Sequence, residues 1–431
     1  MKQTIYPRLN ETVYSERLES GLTVLVSQRP GYRKAYAFFA VNYGGMDYEY
    51  RLDGTPERSP EGVAHFLEHK LFDMPEGNVL QSLSAKGASV NAFTGSSMTA
   101  YHFECAEHFF TNLRTLLTFV TTPYFTQQSV AKEQGIIAQE IRMIADRPGW
   151  RVYYNLLQTL YQKHPLRTSV AGSEASIARI TPAVLRQCHS AFYRPENMIL
   201  CVAGDVDPEQ VAAIARMVVQ SAKGSAAGRL EIQEPPTAAE PSTITQSMPI
   251  ASPTFLAGFK FSPAADDLLR QSLVGDLAGD LLCGASSPLY QQLYREGLID
   301  RGFGVSFEAQ PGAAFLVLGG DSPDPERVAR AVLEEGERLR REGIPEETFR
   351  RTLRSCYGSR VGALDSFEHT CVQLARSHFQ GCDYLRFPEL YDQLTKEEVL
   401  AFLSEAMQPE RMACSVLTPL EQTTEKEPQL S

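Results

Sequence analysis

Residues 65 to 69 read His-Phe-Leu-Glu-His, and this short pattern constrains the fold more than any other part of the sequence. Residues four positions apart lie on one face of a helix, so His65 and His69 can direct ring nitrogens to a single point. Two imidazoles placed in this way are typical zinc ligands. Glu68 lies beside them, where its carboxylate can act as a base without ligating the metal. The pattern predicts a helix that carries two metal ligands and a base.

The alternative interpretation is a pair of surface histidines with no metal. Histidine is scarce, at 8 of 431 residues, so the pattern is rare by chance. A third ligand from elsewhere in the chain would favour the metal site, because catalytic zinc has three protein ligands.

A second helix downstream offers two candidate carboxylates. Thr126 can cap its N-terminus, apolar residues recur at helical spacing from Val130 onward, and residues 146–149 end the run. Glu133 and Glu140 are seven residues apart and share one face of this helix. One of them can ligate a metal while the other orients a ligand. Taken alone, the two glutamates are also typical of a solvated helix face.

Together these motifs resemble those of the pitrilysin/insulinase family of zinc metallopeptidases, which carry the inverted H-x-x-E-H motif. The chain is most similar to a bacterial branch that is itself similar to processing peptidases. The resemblance extends over nearly the whole chain. The segments that carry it are Arg17 to Val24, Gly62 to Phe72, Gly87 to Thr94, Glu133 to Glu140, and Tyr193 to Val206.

The resemblance implies a role for each residue of the two helices. His65, His69 and Glu140 correspond to the ligands of Zn²⁺, and Glu68 corresponds to the catalytic base. Glu133 corresponds to a residue that supports the site without binding the metal itself. The implied activity is that of a zinc-dependent endopeptidase that hydrolyses peptides or unfolded segments, in a role such as peptide processing.

Two short strands are predicted around a turn at residues 95–97. The sequence itself is compatible with an ordinary hairpin. The family resemblance implies instead that the first strand is a sheet edge to which the substrate adds as a further strand. Strand addition recognises extended peptide mainly through the backbone. The expected contacts are Asn91, Ala92, Phe93 and Thr94.

The chain is too long for one ordinary core, and two or three domains are expected. Between residues 220 and 253 the sequence is rich in Ala, Ser, Pro, Thr and Glu, which predicts an exposed linker. We therefore predict an N-terminal zinc-binding domain at 1–222, a linker at 223–252 and a C-terminal domain at 253–431.

The two domains are predicted to be diverged copies of one another. Each contains an apolar strand, a first helix, a pair of strands and a long amphipathic helix. When Val130 is aligned with Phe349, Thr352 and Ser359 fall opposite the two glutamates, and the first helix of the second copy contains no histidine. The second copy is therefore not expected to bind the metal.

The expected fold class is α+β, with two homologous α/β-sandwich halves, each a mostly antiparallel sheet packed against helices. The resemblance implies that these halves form one bowl of a two-bowl clamshell. The second bowl would come from a homodimer partner or from a metal-less paralogue in a heterodimer. Family members also hold substrate with an arginine and a tyrosine of the second half. Arg295 corresponds to the arginine, whereas Phe303 lacks the hydroxyl of the tyrosine.

Composition excludes several other classes of protein. The formal net charge of −11 argues against nucleic acid as a partner. The apolar stretches are too short to span a membrane, and the N-terminus does not match a secretory signal. The eight cysteines are scattered without a C-x-x-C pair, which favours reduced thiols in a bacterial cytoplasm. Two alternatives to the enzyme remain, a non-catalytic assembly subunit and a peptide-binding module of the same fold.

Overall fold

The protein is described by a computed structural model that covers residues 1–222, 224–264 and 267–420. Lys223 of the predicted linker, and residues 265–266 and 421–431 of the predicted second domain, lie outside the described residues. We refer to the residues before and after this linker as the first and second halves.

The elements of the first half are eleven strands and eight helices. The strands are β1 (Lys2–Tyr6), β2 (Glu11–Arg17), β3 (Thr23–Gln28), β4 (Ala35–Val41), β5 (Glu49–Leu52), β6 (Thr55–Arg58), β7 (Asp73–Met74), β8 (Gly77–Asn78), β9 (Ser89–Thr94), β10 (Thr99–Cys105) and β11 (Met198–Gly204). The helices are α1 (Val63–Leu71), α2 (Val79–Ser84), α3 (Phe109–Thr121), α4 (Gln127–Ala145), α5 (Pro148–Leu160), α6 (Glu174–Ile177), α7 (Pro182–Phe192) and α8 (Pro208–Val218).

The remaining elements belong to the predicted linker and the second half. The strands are β12 (Ala227–Arg229), β13 (Thr243–Met248), β14 (Thr254–Phe261), β15 (Gly304–Gln310), β16 (Ala313–Asp321) and β17 (Met412–Pro419). The helices are α9 (Leu268–Cys283), α10 (Pro288–Arg295), α11 (Pro325–Glu342), α12 (Glu346–Ala363), α13 (Phe367–Phe379), α14 (Phe387–Tyr391) and α15 (Lys396–Ala406).

The first half is built on a seven-stranded sheet with the order β1-β2-β3-β11-β4-β10-β9. Strand β4 is buried along its whole length, as expected for a continuous apolar run in the middle of a sheet. Strands β3 and β11 are parallel, and the other neighbours are antiparallel. The predicted hairpin is confirmed, with Thr94 opposite Thr99, and its first strand β9 forms one edge of the sheet.

The second half repeats this arrangement in a five-stranded sheet with the order β13-β17-β14-β16-β15. One parallel pair, β13 and β17, again lies next to antiparallel strands, and β15 takes the edge position that β9 has in the first half. In both halves two helices precede the edge hairpin, and five helices lie between the hairpin and the next strand of the sheet. The expected α+β fold with two related sheet-and-helix halves is confirmed.

Each half supplies one helix to the sheet of the other half. Helix α5 of the first half packs against β13, β14 and β17, and α13 of the second half packs against β4 and β11. The close contact needs small residues, since a Cβ at Gly258 would lie 3.2 Å from the side chain of Leu156. Because the helix after α4 is fixed to the second sheet, the position of α4 relative to that sheet is fixed as well.

The predicted linker is not uniformly exposed. Strand β12 pairs with β5 of the first half, and β13 is a full strand of the second sheet. Glu234 forms a 2.7 Å ion pair with Lys260, and their side chains are only 7% and 3% exposed. The same carboxylate accepts hydrogen bonds from the backbone N–H groups of residues 162–164. Some polar residues of this segment therefore form buried pairs, whereas others contact solvent. Composition alone does not distinguish these two roles. The domain boundaries stay a prediction.

Two expectations from composition can be compared with the structure. All eight cysteines are free thiols. None of the helices in the described ranges is both long and apolar enough to cross a membrane.

Candidate metal centre

Helix α1 begins at a position that only glycine fills easily. Gly62 has a φ of +90°, and a Cβ there would lie 2.6 Å from the carbonyl oxygen of Ala171. Phe66 and Leu67 are fully buried and anchor one face of the helix in the core of the first half. The opposite face therefore presents the two histidines and the glutamate of the motif to the cavity described below.

Helix α4 lies beside α1 and carries the two glutamates. Thr126 is its N-cap, as predicted, and accepts a hydrogen bond from the N–H of Ser129. Val130 and Ile137 are buried and hold one face of the helix against the core. The neighbouring face turns Glu133 and Glu140 towards the histidines of α1.

The three predicted ligands converge on one point. Oε1 of Glu140 lies 3.6 Å from Nε2 of His65, and Oε2 of Glu140 lies 3.5 Å from Nε2 of His69. These separations are too long for hydrogen bonds. They are close to the separation of about 3.3 Å between the ligand atoms of a tetrahedral zinc ion. Across the described ranges, these side chains form the only group of three or more His, Cys, Asp or Glu residues with ligand atoms within 4.8 Å of one another. The donor set fits zinc.

Glu133 orients His69 from the side opposite the metal position. Its Oε1 lies 3.1 Å from Nδ1 of His69, so this nitrogen carries the proton and Nε2 keeps its lone pair for a metal. The other oxygen of Glu133 lies 3.8 Å from Nζ of the buried Lys70, which also pairs with Asp73. The buried ammonium group of Lys70 therefore lies close to the Glu133 carboxylate that orients His69.

The charges of this cluster oppose the effect of burial. Burial alone would raise the pKa of Glu133, but the hydrogen bond with His69 and the nearby charges of His69 and Lys70 lower it. Burial alone would lower the pKa of His69, but its hydrogen bond to Glu133 and the charges of Glu68 and Glu140 raise it. The neighbouring imidazole of His65 is the main reason why the pKa of Glu140 is lowered. Both carboxylates of α4 are thus held ionised.

Glu68 is beside the ligands and is held by the edge strand. Its Oε2 accepts a 2.6 Å hydrogen bond from the hydroxyl of Thr94 at the end of β9. Two residues earlier in this strand, the N–H of Ala92 donates to the side-chain oxygen of Asn91 at 2.9 Å. This N–H therefore points away from β10, towards the open edge of the sheet.

A cavity of about 930 Å³ adjoins the metal group. Five consecutive residues, 92–96, line it. Because side chains alternate between the faces of a strand, a cavity lined by consecutive residues runs along the strand edge. The far wall comes from α5, through Trp150, Tyr153 and Tyr154, and from the second half. The hydroxyl of Tyr153 donates to Glu308 of β15 at 3.1 Å, so the cavity lies between the two halves.

Arg295 is not brought to this cavity. It ends α10, and its Nε donates to the carbonyl oxygen of Gln291 on the same helix. Its guanidinium is exposed, and its part in substrate binding stays a prediction. The sequence pattern also missed the contact of Lys70 with Glu133 and the wall formed by the aromatic residues of α5. The spacing of Trp150, Tyr153 and Tyr154 is a signal for one helix face, but it does not show that this face borders a cavity.

The equivalent place in the second half contains an ion pair. Helices α9 and α12 face one another as α1 and α4 do, and Arg360 donates to Asp276 at 2.5 Å. The thiol of Cys356 lies 3.2 Å from Asp280. A guanidinium therefore lies beside these carboxylates, at the place that corresponds to the His65, His69 and Glu140 group of the first half.

Comparison with known proteins identifies the family. Residues 56–174 match the model described as insulinase (peptidase family M16), and residues 179–356 match the model described as the M16 inactive domain. A Bacillus subtilis protein called an uncharacterized zinc protease, YmfH, is 35% identical over 430 residues, which span 97% of this chain and 99% of YmfH. The chain belongs to the insulinase family.

Solved structures of insulinase-family proteins share the whole fold. An M16-like peptidase from Alicyclobacillus acidocaldarius is 33% identical with a TM-score of 0.91, and the match covers 95% of this chain and 99% of that one. Pitrilysin is 18% identical with a TM-score of 0.73, and the match covers 95% of this chain but 45% of pitrilysin. This insulinase-family chain therefore has the length of about half of pitrilysin.

Proposed function

We propose that the protein is a zinc-dependent endopeptidase that hydrolyses extended peptides or unfolded segments. The observation that carries the proposal is the position of Glu68, beside the convergent His65, His69 and Glu140 yet outside the ligand group. A zinc ion bound there would supply a Lewis acid for the scissile carbonyl and lower the pKa of water. A site that had lost its catalytic function would have no physical need for a carboxylate that lies beside the ligands without being one of them.

The residues of the chain have distinct roles in the proposed reaction. Glu68 takes a proton from the attacking water and returns it to the leaving amine. Thr94 fixes one oxygen of this carboxylate, so the other oxygen is free to act. Glu133 holds His69 in the tautomer that binds metal, and Lys70 holds Glu133.

The substrate is proposed to lie along the open edge of β9. Backbone groups of residues 91–94 would pair with an extended peptide, and the N–H of Ala92 already points to this edge. Recognition through the backbone makes the enzyme tolerant of sequence. The cavity, at about 930 Å³, accommodates a few residues of an extended chain and excludes a folded domain.

A second subunit is proposed to complete the chamber. Support comes from the length of the chain, which matches about half of pitrilysin. The subunit is a second copy or a metal-less paralogue, and Arg295 would contact substrate only within such an enclosure. The free thiols are consistent with a cytoplasmic location.

The test is cleavage of a mixed library of unstructured peptides, with products identified by mass spectrometry. We expect cleavage by the zinc-loaded protein, loss of cleavage after chelation and recovery when zinc is restored. Cleavage that survives complete removal of metal would contradict the proposal. Zinc binding without cleavage of any peptide would favour the peptide-binding module.

A further inference from the structure

A second groove continues from the metal cavity on the far side of the aromatic wall. Its volume is about 980 Å³, and it shares several lining residues with the metal cavity. The rings of Trp150 and Tyr154 stack at 5.8 Å and belong to the lining of both spaces. An extended chain that leaves the metal cavity past this wall therefore enters the groove. We call it the basic groove, for the charges described next.

Four cationic and two anionic side chains line the basic groove. The cationic residues are Arg58, Arg151, Lys163 and Arg167, and the anionic residues are Glu61 and Glu174. Both carboxylates already have arginine partners. Glu61 lies 3.5 Å from Arg58, and Glu174 pairs at 2.5 Å with Arg142, which is not part of the lining.

The remaining three cations have no carboxylate partner among the residues that the structure describes. The guanidinium of Arg151 donates to the carbonyl oxygen of Ala145 through two of its nitrogens. Lys163 and Arg167 have exposed side chains that form no hydrogen bond or ion pair with any of the residues described. The whole chain has a net charge of −11, so this local excess of positive charge contrasts with the rest of the surface.

The segment that carries Lys163 and Arg167 is fixed in place. The backbone N–H groups of Lys163 and His164 each donate to Glu234 at 2.8 Å. Leu166 is buried and lines the metal cavity, whereas the adjacent Arg167 lines the basic groove. One short stretch of chain thus borders both spaces, with its apolar side chain towards the metal and its charges towards the groove.

We propose that the basic groove binds acidic side chains of the peptide substrate, so that the enzyme prefers peptides with Asp or Glu to one side of the scissile bond. The inference rests on the proposed peptidase function and names its substrate class. A concave site lined by one sign of charge concentrates ligands of the opposite sign. A peptide is the favoured occupant because the groove opens into the cavity that borders the edge strand and the metal group.

The test compares peptides that differ only in charge. Glu is placed in turn at each position on either side of one cleavable bond, and kcat/KM is compared with that of the Gln analogue. An exposed ion pair changes binding by at most about fivefold, so two unpartnered cations give a preference on the order of tenfold. The preference should be confined to one side of the bond and should weaken as salt is raised.

Variants assign the preference to the groove. Lys163→Gln/Arg167→Gln should reduce the ratio of Glu to Gln peptides to about one, and Lys163→Glu/Arg167→Glu should favour Lys peptides. Arg340→Gln/Arg341→Gln is the matched control, because these exposed side chains of α11 lie outside the groove. A wild-type ratio near one, or a full ratio in Lys163→Gln/Arg167→Gln, would overturn the inference.

A binding measurement separates this inference from the proposed function. Rhodamine-labelled Glu and Gln peptides are titrated with zinc-loaded Glu68→Gln protein, and anisotropy reports the affinity ratio. Turnover without a charge preference would overturn the inference about the basic groove and would leave the proposed peptidase function intact. If wild type shows no turnover but the ratio of affinities for the Glu and Gln peptides is preserved, the proposed peptidase function is contradicted and the inference about the basic groove is supported. A short single-stranded oligonucleotide that displaces the peptide at lower concentration than the Glu peptide itself would overturn the assignment to peptides.

Discussion

The hydroxyl of Thr94 donates a 2.6 Å hydrogen bond to Oε2 of Glu68. Thr94 is the last residue of the edge strand β9, so this bond joins the strand that we propose to hold substrate to the carboxylate that we propose as base. A peptide bond placed beside the end of β9 is therefore also placed beside Glu68.

Replacement of Thr94 by valine tests this link. Thr94→Val keeps the branched shape but removes the donor, so the carboxylate of Glu68 loses a charge-assisted bond and one fixed orientation. We expect kcat to fall about tenfold, the range that a hydrogen bond to a charged group provides. Thr94→Ser, which keeps the hydroxyl, is the control. A Thr94→Val protein with the kcat of wild type would show that the bond has no part in the reaction.

The open edge of β9 predicts an effect on KM. Ala92→Pro removes the N–H that points away from β10, and proline is tolerated on the outer side of an edge strand. One backbone hydrogen bond to substrate is lost, so KM should rise about fivefold with little change in kcat. Steady-state kinetics on one peptide measures both. An unchanged KM at wild-type stability would contradict strand addition at this residue.

The buried Lys70 predicts a linked loss of stability and zinc affinity. Lys70→Met leaves Asp73 and Glu133 without their cation, which should cost about 2 kcal/mol of unfolding free energy. Because Glu133 orients His69, zinc affinity should fall about tenfold. Urea unfolding and competition with a chromophoric chelator measure the two effects. Lys132→Met, on the exposed surface one residue from Glu133, is the control, and an equal effect there would remove the specific role of Lys70.

His189 predicts a loss of stability in acid. It is buried, and burial lowers its pKa to about 4, although the hydrogen bond from its Nε2 to Val120 works in the opposite direction. The pKa is below that of the unfolded chain, so the unfolded state binds the proton more readily. Stability from the neutral ring is present above the unfolded value of about 6.5 and is lost as pH falls towards 4.

The size of this effect can be measured by urea unfolding. Between pH 8 and pH 5, His189 should account for a loss of about 2 kcal/mol, which His189→Gln should abolish. Glutamine retains a donor for the carbonyl oxygen of Val120. The same pH dependence in wild type and His189→Gln would contradict the assignment.

The local parts of the site could be predicted from the sequence because helix periodicity fixes them. The spacing of His65 and His69, and that of Glu133 and Glu140, places each pair on one helix face. That the two faces meet depends on tertiary packing, and the prediction relied on the family resemblance for it. The repeated strand and helix pattern likewise predicted two related halves.

Features that join distant parts of the chain could not be predicted in this way. The basic groove combines Arg58 with residues about a hundred positions later, and no local pattern connects them. Lysine is usually a surface residue. The burial of Lys70 depends on its partners in β7 and α4. The polar linker sequence gave no sign that Glu234 pairs with the buried Lys260, because composition reports solubility and not pairing.

The most direct test of the central claim is a comparison of wild type with Glu68→Gln, in peptide turnover and in zinc content. The substitution keeps the size of the side chain and leaves His65, His69 and Glu140 in place. We predict about one zinc per chain in both proteins and a turnover at least a hundredfold lower in the variant, the usual contribution of a general base. Turnover by Glu68→Gln equal to that of wild type, with zinc bound, would contradict the account.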